Sequence, residues 1–144
     1  MRLYKTLMVQ DAFTLSELMV VVIIVGILAS LAIPLFSRAI ENTKAKEAIA
    51  ALEQIRSAQR IYRVEENTYW GPEPDDQTIN ATLSLDLDIS DDRNWDYSID
   101  SAGPDSFETS ALRLEGAHKD EKIVINQDGL VPGQSTWTLP LPGQ

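Results

Sequence analysis

Cysteine is absent from the 144-residue chain, which excludes a disulfide framework, a thiol nucleophile and a cysteine-held metal. Histidine occurs once, as His118, among polar turn residues where a surface position is the default. Bases are scarce: 12 Lys and Arg face 22 Asp and Glu, a net charge of -10. A nucleic-acid binder needs basic clusters to meet phosphates, so that class is set aside. The chain also lacks G-x-S-x-G, H-E-x-x-H and a phosphate loop. No catalytic constellation is present, and the expectation is a structural protein, not an enzyme, with no cofactor and no metal.

Charge is missing from one stretch altogether. From Leu18 to Ser37, a run of 20 residues, there is no ionisable side chain. As a helix it spans roughly 30 Å, the thickness of a bilayer core. A carboxylate, Glu17, stands at its entrance. Ahead of it Arg2 and Lys5 are the only bases, a weak bias that points the N-terminus to the cytoplasm and the acidic remainder outward. Beyond the run, Ala45, Ala48, Leu52, Ile55 and Tyr62 recur at helical steps without Gly or Pro between them. One helix is expected from Phe13 to Glu66, apolar all round in its first half and amphipathic in its second. Pro34 is a candidate kink. Such a helix is roughly 80 Å long and needs a partner along its length.

The charge balance then shifts. Residues 38–66 hold six bases and five acids, whereas residues 67–144 hold 15 acids and four bases, a net of -11. Gly71 to Asp92 carries seven acids and no base, and reads as a solvated acidic loop. Within it, "DLDISDD" places carboxylates at alternate positions. It lacks the glycine and closing glutamate of a calcium loop, so a metal role is not expected. Asn80-Ala81-Thr82 fits the glycosylation pattern, which is short enough to occur by chance. Period-two alternation follows at Trp95, Tyr97 and Ile99, at Leu112 and Leu114, and at Ile123 and Ile125. It predicts three strands, near 95–100, 107–115 and 121–126. Pro140 and Pro142 exclude a central strand from the tail. The fold class is α+β: a long N-terminal helix whose striped half packs on a small C-terminal antiparallel sheet.

The stretch "FTLSELMVVVIIVGILASLAIPLF", Phe13 to Phe36, resembles the N-terminal signature of type IV pilins and of the pseudopilins of type II secretion systems. The resemblance is dense over about 24 residues, loose through the amphipathic helix and architectural only in the sheet. It implies a leader at residues 1–12 and a transmembrane and assembly helix at 13–36. The amphipathic half follows at 37–66, an acidic connecting loop at 67–94 and the sheet domain at 95–144. Cleavage would fall between Ala12 and Phe13, with N-methylation of Phe13, and assembly would use Phe13, Glu17, Gly26 and Pro34. Ala12 stands where the family has glycine, so slower cleavage is expected, and Ser16 replaces the usual aliphatic residue.

A charge led into a bilayer needs a partner. Cleavage would create a cationic amine at Phe13, and a neighbouring subunit's amine would neutralise Glu17 and set the stagger of a filament. The plainer account of Glu17 is a carboxylate favoured by the helix dipole. The partners implied are further copies of the chain, a prepilin peptidase and methyltransferase, the inner-membrane assembly machinery and, before assembly, lipid. The implied location is a single-pass inner-membrane protein that becomes an extracellular pilus or periplasmic pseudopilus. The expected function is a pilin-like filament subunit serving adhesion, motility or DNA uptake. The alternatives are a type II secretion pseudopilin and a membrane-anchored binding module. The major pseudopilins carry a calcium-loop pattern near the C-terminus that is not visible here, which tips the expectation toward a pilin. A secretory signal cut after Ala32 competes for the same apolar run, but Asp11, Glu17 and Pro34 sit badly with it.

Overall fold

The computed structural model describes residues 13–140. Helix α1 is Leu15–Glu66 and α2 is Asp76–Leu83, followed by strands β1 (Trp95–Ala102), β2 (Phe107–Arg113), β3 (Lys122–Asn126) and β4 (Gly129–Leu130). The chain divides into two units, one ending at Ala39 and the other beginning at Ile40. In the first, α1 is helical through Pro34 and every residue from Phe13 is exposed. By length and composition this is the one described helix able to cross a membrane.

In the second unit the strands form one antiparallel sheet in the order β1-β2-β3-β4. Opposed residues Tyr97 and Ala111, Ile99 and Thr109, then Ala111 and Ile123, Thr109 and Ile125 stack across one face. That face meets Ala45, Ala48, Leu52 and Ile55 of α1, all fully buried, in one apolar cluster. The helical stripe is therefore the sheet's cover, as its spacing implies. The next position of the same stripe is Gln59, also fully buried. Its amide accepts from the Trp70 N–H at 2.8 Å and donates to the Trp70 carbonyl at 2.6 Å, so a polar side chain fills an apolar slot.

Four details depart from the sequence expectation. The sheet has a fourth, two-residue strand, β4, paired to the end of β3. The acidic segment is not all loop: α2 lies inside it, started by Asp75, whose carboxylate accepts from the Thr78 N–H at 2.9 Å. Ile79 and Leu83, one turn apart on α2, are buried. Nor do all seven acids face solvent. Asp76 is buried beside Arg93, 3.2 Å from its Nε, in a poorly aligned pair that is coulombic more than hydrogen-bonded. Burial pushes the Asp76 carboxyl above its ordinary range, against the pull of the Arg93 charge. Finally, the inward phase of β2 is Phe107, Thr109, Ala111 and Arg113, while Leu112 and Leu114 are only half-buried. Arg113 tolerates the interior because it donates to the Asn94 carbonyl at 2.8 Å. It also pairs with Glu41 at 3.4 Å and lies over the Trp95 ring.

The outer edge of β1 is covered by the segment leaving α1. Glu73 and Ile99 exchange backbone hydrogen bonds of 2.9 and 2.7 Å, and the Tyr69 N–H reaches the Gly103 carbonyl. At Gly71 the chain passes so close that an added Cβ would lie 2.8 Å from Ile99 Cγ2, and φ is +123°. Only glycine fits that crossing.

Candidate assembly site

The N-terminal site is built on the first turn of α1. Thr14 precedes the first helical residue, Leu15, and Glu17 lies three residues beyond Thr14. The Thr14 N–H donates to Glu17 Oε2 at 2.9 Å, and the Glu17 N–H donates to Thr14 Oγ1 at 3.2 Å. The Thr14 hydroxyl also donates to Glu17 Oε2 at 2.7 Å, and Ser16 Oγ lies 3.0 Å from Thr14 Oγ1. This is a reciprocal capping box, which satisfies two helix-end N–H groups at once. Within the single chain, Glu17 therefore closes the cap at the helix start. The T-x-x-E spacing of residues 14–17 was the signal for it, obscured by the pull of the apolar run.

Phe13 is exposed, and no hydrogen bond joins it to Glu17 among the described residues. Ala12 and the rest of the expected leader, Met1 to Ala12, lie outside the described residues. Gly26 has open space where a Cβ would stand, so nothing within the chain requires glycine there. Pro34 brings no N–H to the carbonyl of Ser30, one turn earlier. The Ser30 hydroxyl bonds back to the Ile27 carbonyl at 2.7 Å, a pattern that bends helices. Gly26, Ser30 and Pro34 thus follow one another along a segment that is helical throughout. From Leu18 to Phe36 the large apolar side chains are all at least half exposed. Apolar surface on that scale is covered by lipid or by other helices.

A prokaryotic N-terminal methylation motif matches residues 7–33, which brackets Phe13, Glu17 and Gly26. Two curated relatives are similar beyond it. The type II secretion system core protein G of Pectobacterium carotovorum subsp. carotovorum is 37% identical over 86 residues, 60% of this chain and 53% of the relative. The protein of the same name from Aeromonas hydrophila is 37% identical over 60 residues, 42% of each chain. The chain thus carries the N-terminal methylation motif and, over part of its length, is similar to type II secretion core proteins of the pilin and pseudopilin type. The matches span about half the length of these relatives or less.

The other positions singled out in the sequence have structural uses. Asn80 of the glycosylation pattern donates to the Leu87 carbonyl at 3.0 Å and accepts from the Leu87 N–H at 2.9 Å, so its amide ties α2 to the chain after it. Asp88 of the "DLDISDD" stretch accepts from the Ser90 hydroxyl at 2.6 Å and the Ser90 N–H at 3.0 Å, which holds its carboxyl below the usual range. His118 is not a free surface residue. Its Nδ1 lies 2.9 Å from Glu121 Oε1 and its ring packs on Trp137.

Proposed function

We propose that the chain is a pseudopilin-type structural subunit that polymerises through its apolar N-terminal helix after removal of residues 1–12. The observation that carries this is the 37% identity over 86 residues to core protein G of a type II secretion system. It favours a pseudopilin over the pilus subunit that the sequence expectation preferred. The exposed run from Leu18 to Phe36 supplies the surface that lipid covers before assembly and neighbouring helices cover afterwards. In this reading a prepilin peptidase cuts before Phe13 on the cytoplasmic side, the new amine is methylated, and the inner-membrane machinery extracts the subunit into a periplasmic pseudopilus. The acidic second unit lies on the outer side of the membrane. Glu17 then faces the amine of a neighbouring Phe13, and the subunit has no catalytic role.

Mass spectrometry of the mature N-terminus, combined with deletion of the gene, tests the reading. N-methylphenylalanine at position 13 and loss of secretion of folded enzymes are expected. A methylated Phe13 with intact secretion and lost surface pili would make it a pilin, and a start at Ile33 would make it a secreted domain.

A further inference from the structure

After β4 the chain doubles back along β3 and closes its outer side. The Val131 N–H donates to the Val124 carbonyl, and the Thr136 and Trp137 N–H groups converge on the Lys122 carbonyl at 3.0 and 3.1 Å. Two hydroxyls take the N–H groups that β3 offers on that side: Thr136 Oγ1 accepts from Lys122 at 2.7 Å, and Ser135 Oγ accepts from Val124 at 3.0 Å. Residues 131–138 are thus a strap over a sheet edge, the part of a sheet most prone to pairing with another chain. Beyond Thr136 it is fixed by one cluster. Trp137, 7% exposed, lies between the rings of Trp95 and His118, with centroids 5.3 and 4.8 Å away. Glu121 grips both sides, accepting from the Thr138 N–H at 2.9 Å through Oε2 and meeting His118 Nδ1 at 2.9 Å through Oε1.

We propose that His118, Glu121 and Trp137 form a pH-responsive clasp, in which protonation of His118 fastens the C-terminal strap onto the edge of β3. An imidazole ordinarily changes charge between pH 8 and 5. Neutral, it shares a hydrogen bond with Glu121 and a ring contact with Trp137. Protonated, it makes a charge-assisted bond to the carboxylate and a cation–π contact with the indole, both stronger. The surroundings do not oppose that charge. On its own turn the ionisable neighbours are Glu115, Lys119 and Asp120, all exposed, and Glu121, in contact. The strap, 131–140, carries no ionisable side chain. From the sheet, Arg113 is turned to Glu41 and Asn94 and lies over the Trp95 ring, with Trp137 between that ring and His118.

The sign follows from which state has the partners. The histidine contribution requires the cationic ring, the form that makes the charge-assisted bond and the cation–π contact. Burial alone would raise the Glu121 carboxyl, but bonds from His118 and Thr138 outweigh it and hold it below the usual range. The carboxylate therefore stays ionised to lower pH than an ordinary glutamate, and its contribution is lost only as pH falls below the ordinary carboxylate range. The clasp needs the ring cationic and the carboxylate ionised, and it loosens when either charge is lost.

Amide hydrogen exchange on the full chain in detergent micelles, corrected for the intrinsic pH dependence of exchange, reads the clasp directly. Protection of the Thr136, Trp137 and Thr138 amides is expected to fall about five- to tenfold between pH 5.5 and pH 8, while the amides of β2 hold theirs. His118→Gln should abolish the slope, leaving protection at the wild-type pH 8 level. Glu121→Gln should abolish it and lower protection throughout. A flat wild-type profile, or a His118→Gln profile that keeps the wild-type slope, overturns the proposal.

Discussion

Glu17 has two partners in prospect, and they ask different things of its side chain. Within the chain its oxygen closes the cap with Thr14, a job that needs an acceptor but no charge. Glutamine serves at that position of a capping box as well as glutamate. The cleaved amine of a neighbouring Phe13 asks for the charge itself, since an unpaired ammonium among apolar helices is costly. The two roles therefore separate under substitution. Glu17→Gln should keep the helix start and Glu17→Val should lose it, while both leave membrane insertion intact. Filament recovery, measured by shearing and immunoblotting, is expected to fall on the order of tenfold or more in both variants, because both remove the counter-charge. Normal filament yield from Glu17→Gln would show that the cap is the assembly requirement and that the charge pair is not.

At the scale of elements, legibility followed how directly a residue reports its surroundings. The helical stripe and the alternating strands could be read because apolar side chains at those spacings have one way to leave water. The first turn of α2 could have been read too, from Asp75 and Thr78 at cap spacing and from Ile79 and Leu83 one turn apart, but its acidic composition masked it. Gln59 and Arg113 could not. Each occupies an inward position that composition assigns to an apolar residue, and each is tolerated only because distant chain brings partners: Trp70 for one, Asn94 and Glu41 for the other. No spacing rule carries that information. Of the candidate assembly site, Glu17 and its neighbours were legible as a signature, whereas the use of Thr14 emerged from geometry. The Gln59 contact makes a sharp prediction. Gln59→Leu fits the apolar slot by size yet leaves the Trp70 N–H and carbonyl without the amide, a loss of about 1–3 kcal/mol. Thermal unfolding of the full chain in detergent should show a midpoint lower by on the order of 10 °C. An unchanged midpoint would mean that the amide bonds contribute nothing net.

For the whole molecule the governing quantity is the net charge of -10, concentrated after residue 66. Acids gathered this way invite a divalent cation, yet the buried member of the set already has a cation. Arg93 meets Asp76 at 3.2 Å and Asp96 at 3.1 Å, and donates to the Ser90 carbonyl. Its guanidinium is held more firmly charged than usual, first by the hydrogen bond it donates to Asp96 and then by the nearby carboxylates. Asp75, Asp86, Asp88, Asp91 and Asp92 are exposed and need no counter-ion. Among the described residues no three ionisable ligands are grouped to hold a metal. A guanidinium tied to the chain supplies its charge without a binding equilibrium, so stability should be independent of calcium. Adding a chelator to the full chain is expected to move the melting midpoint by less than about 2 °C, well under the shift that 1 kcal/mol produces. Arg93→Gln should reverse that indifference. With Asp76 buried and Asp96 beside it, the carboxylates lose the cation that pairs with them, the midpoint falls, and millimolar calcium restores part of the loss by binding the folded state alone. A wild-type midpoint that drops by many degrees on chelation would show instead that a bound calcium ion, and not Arg93, holds the acidic segment together.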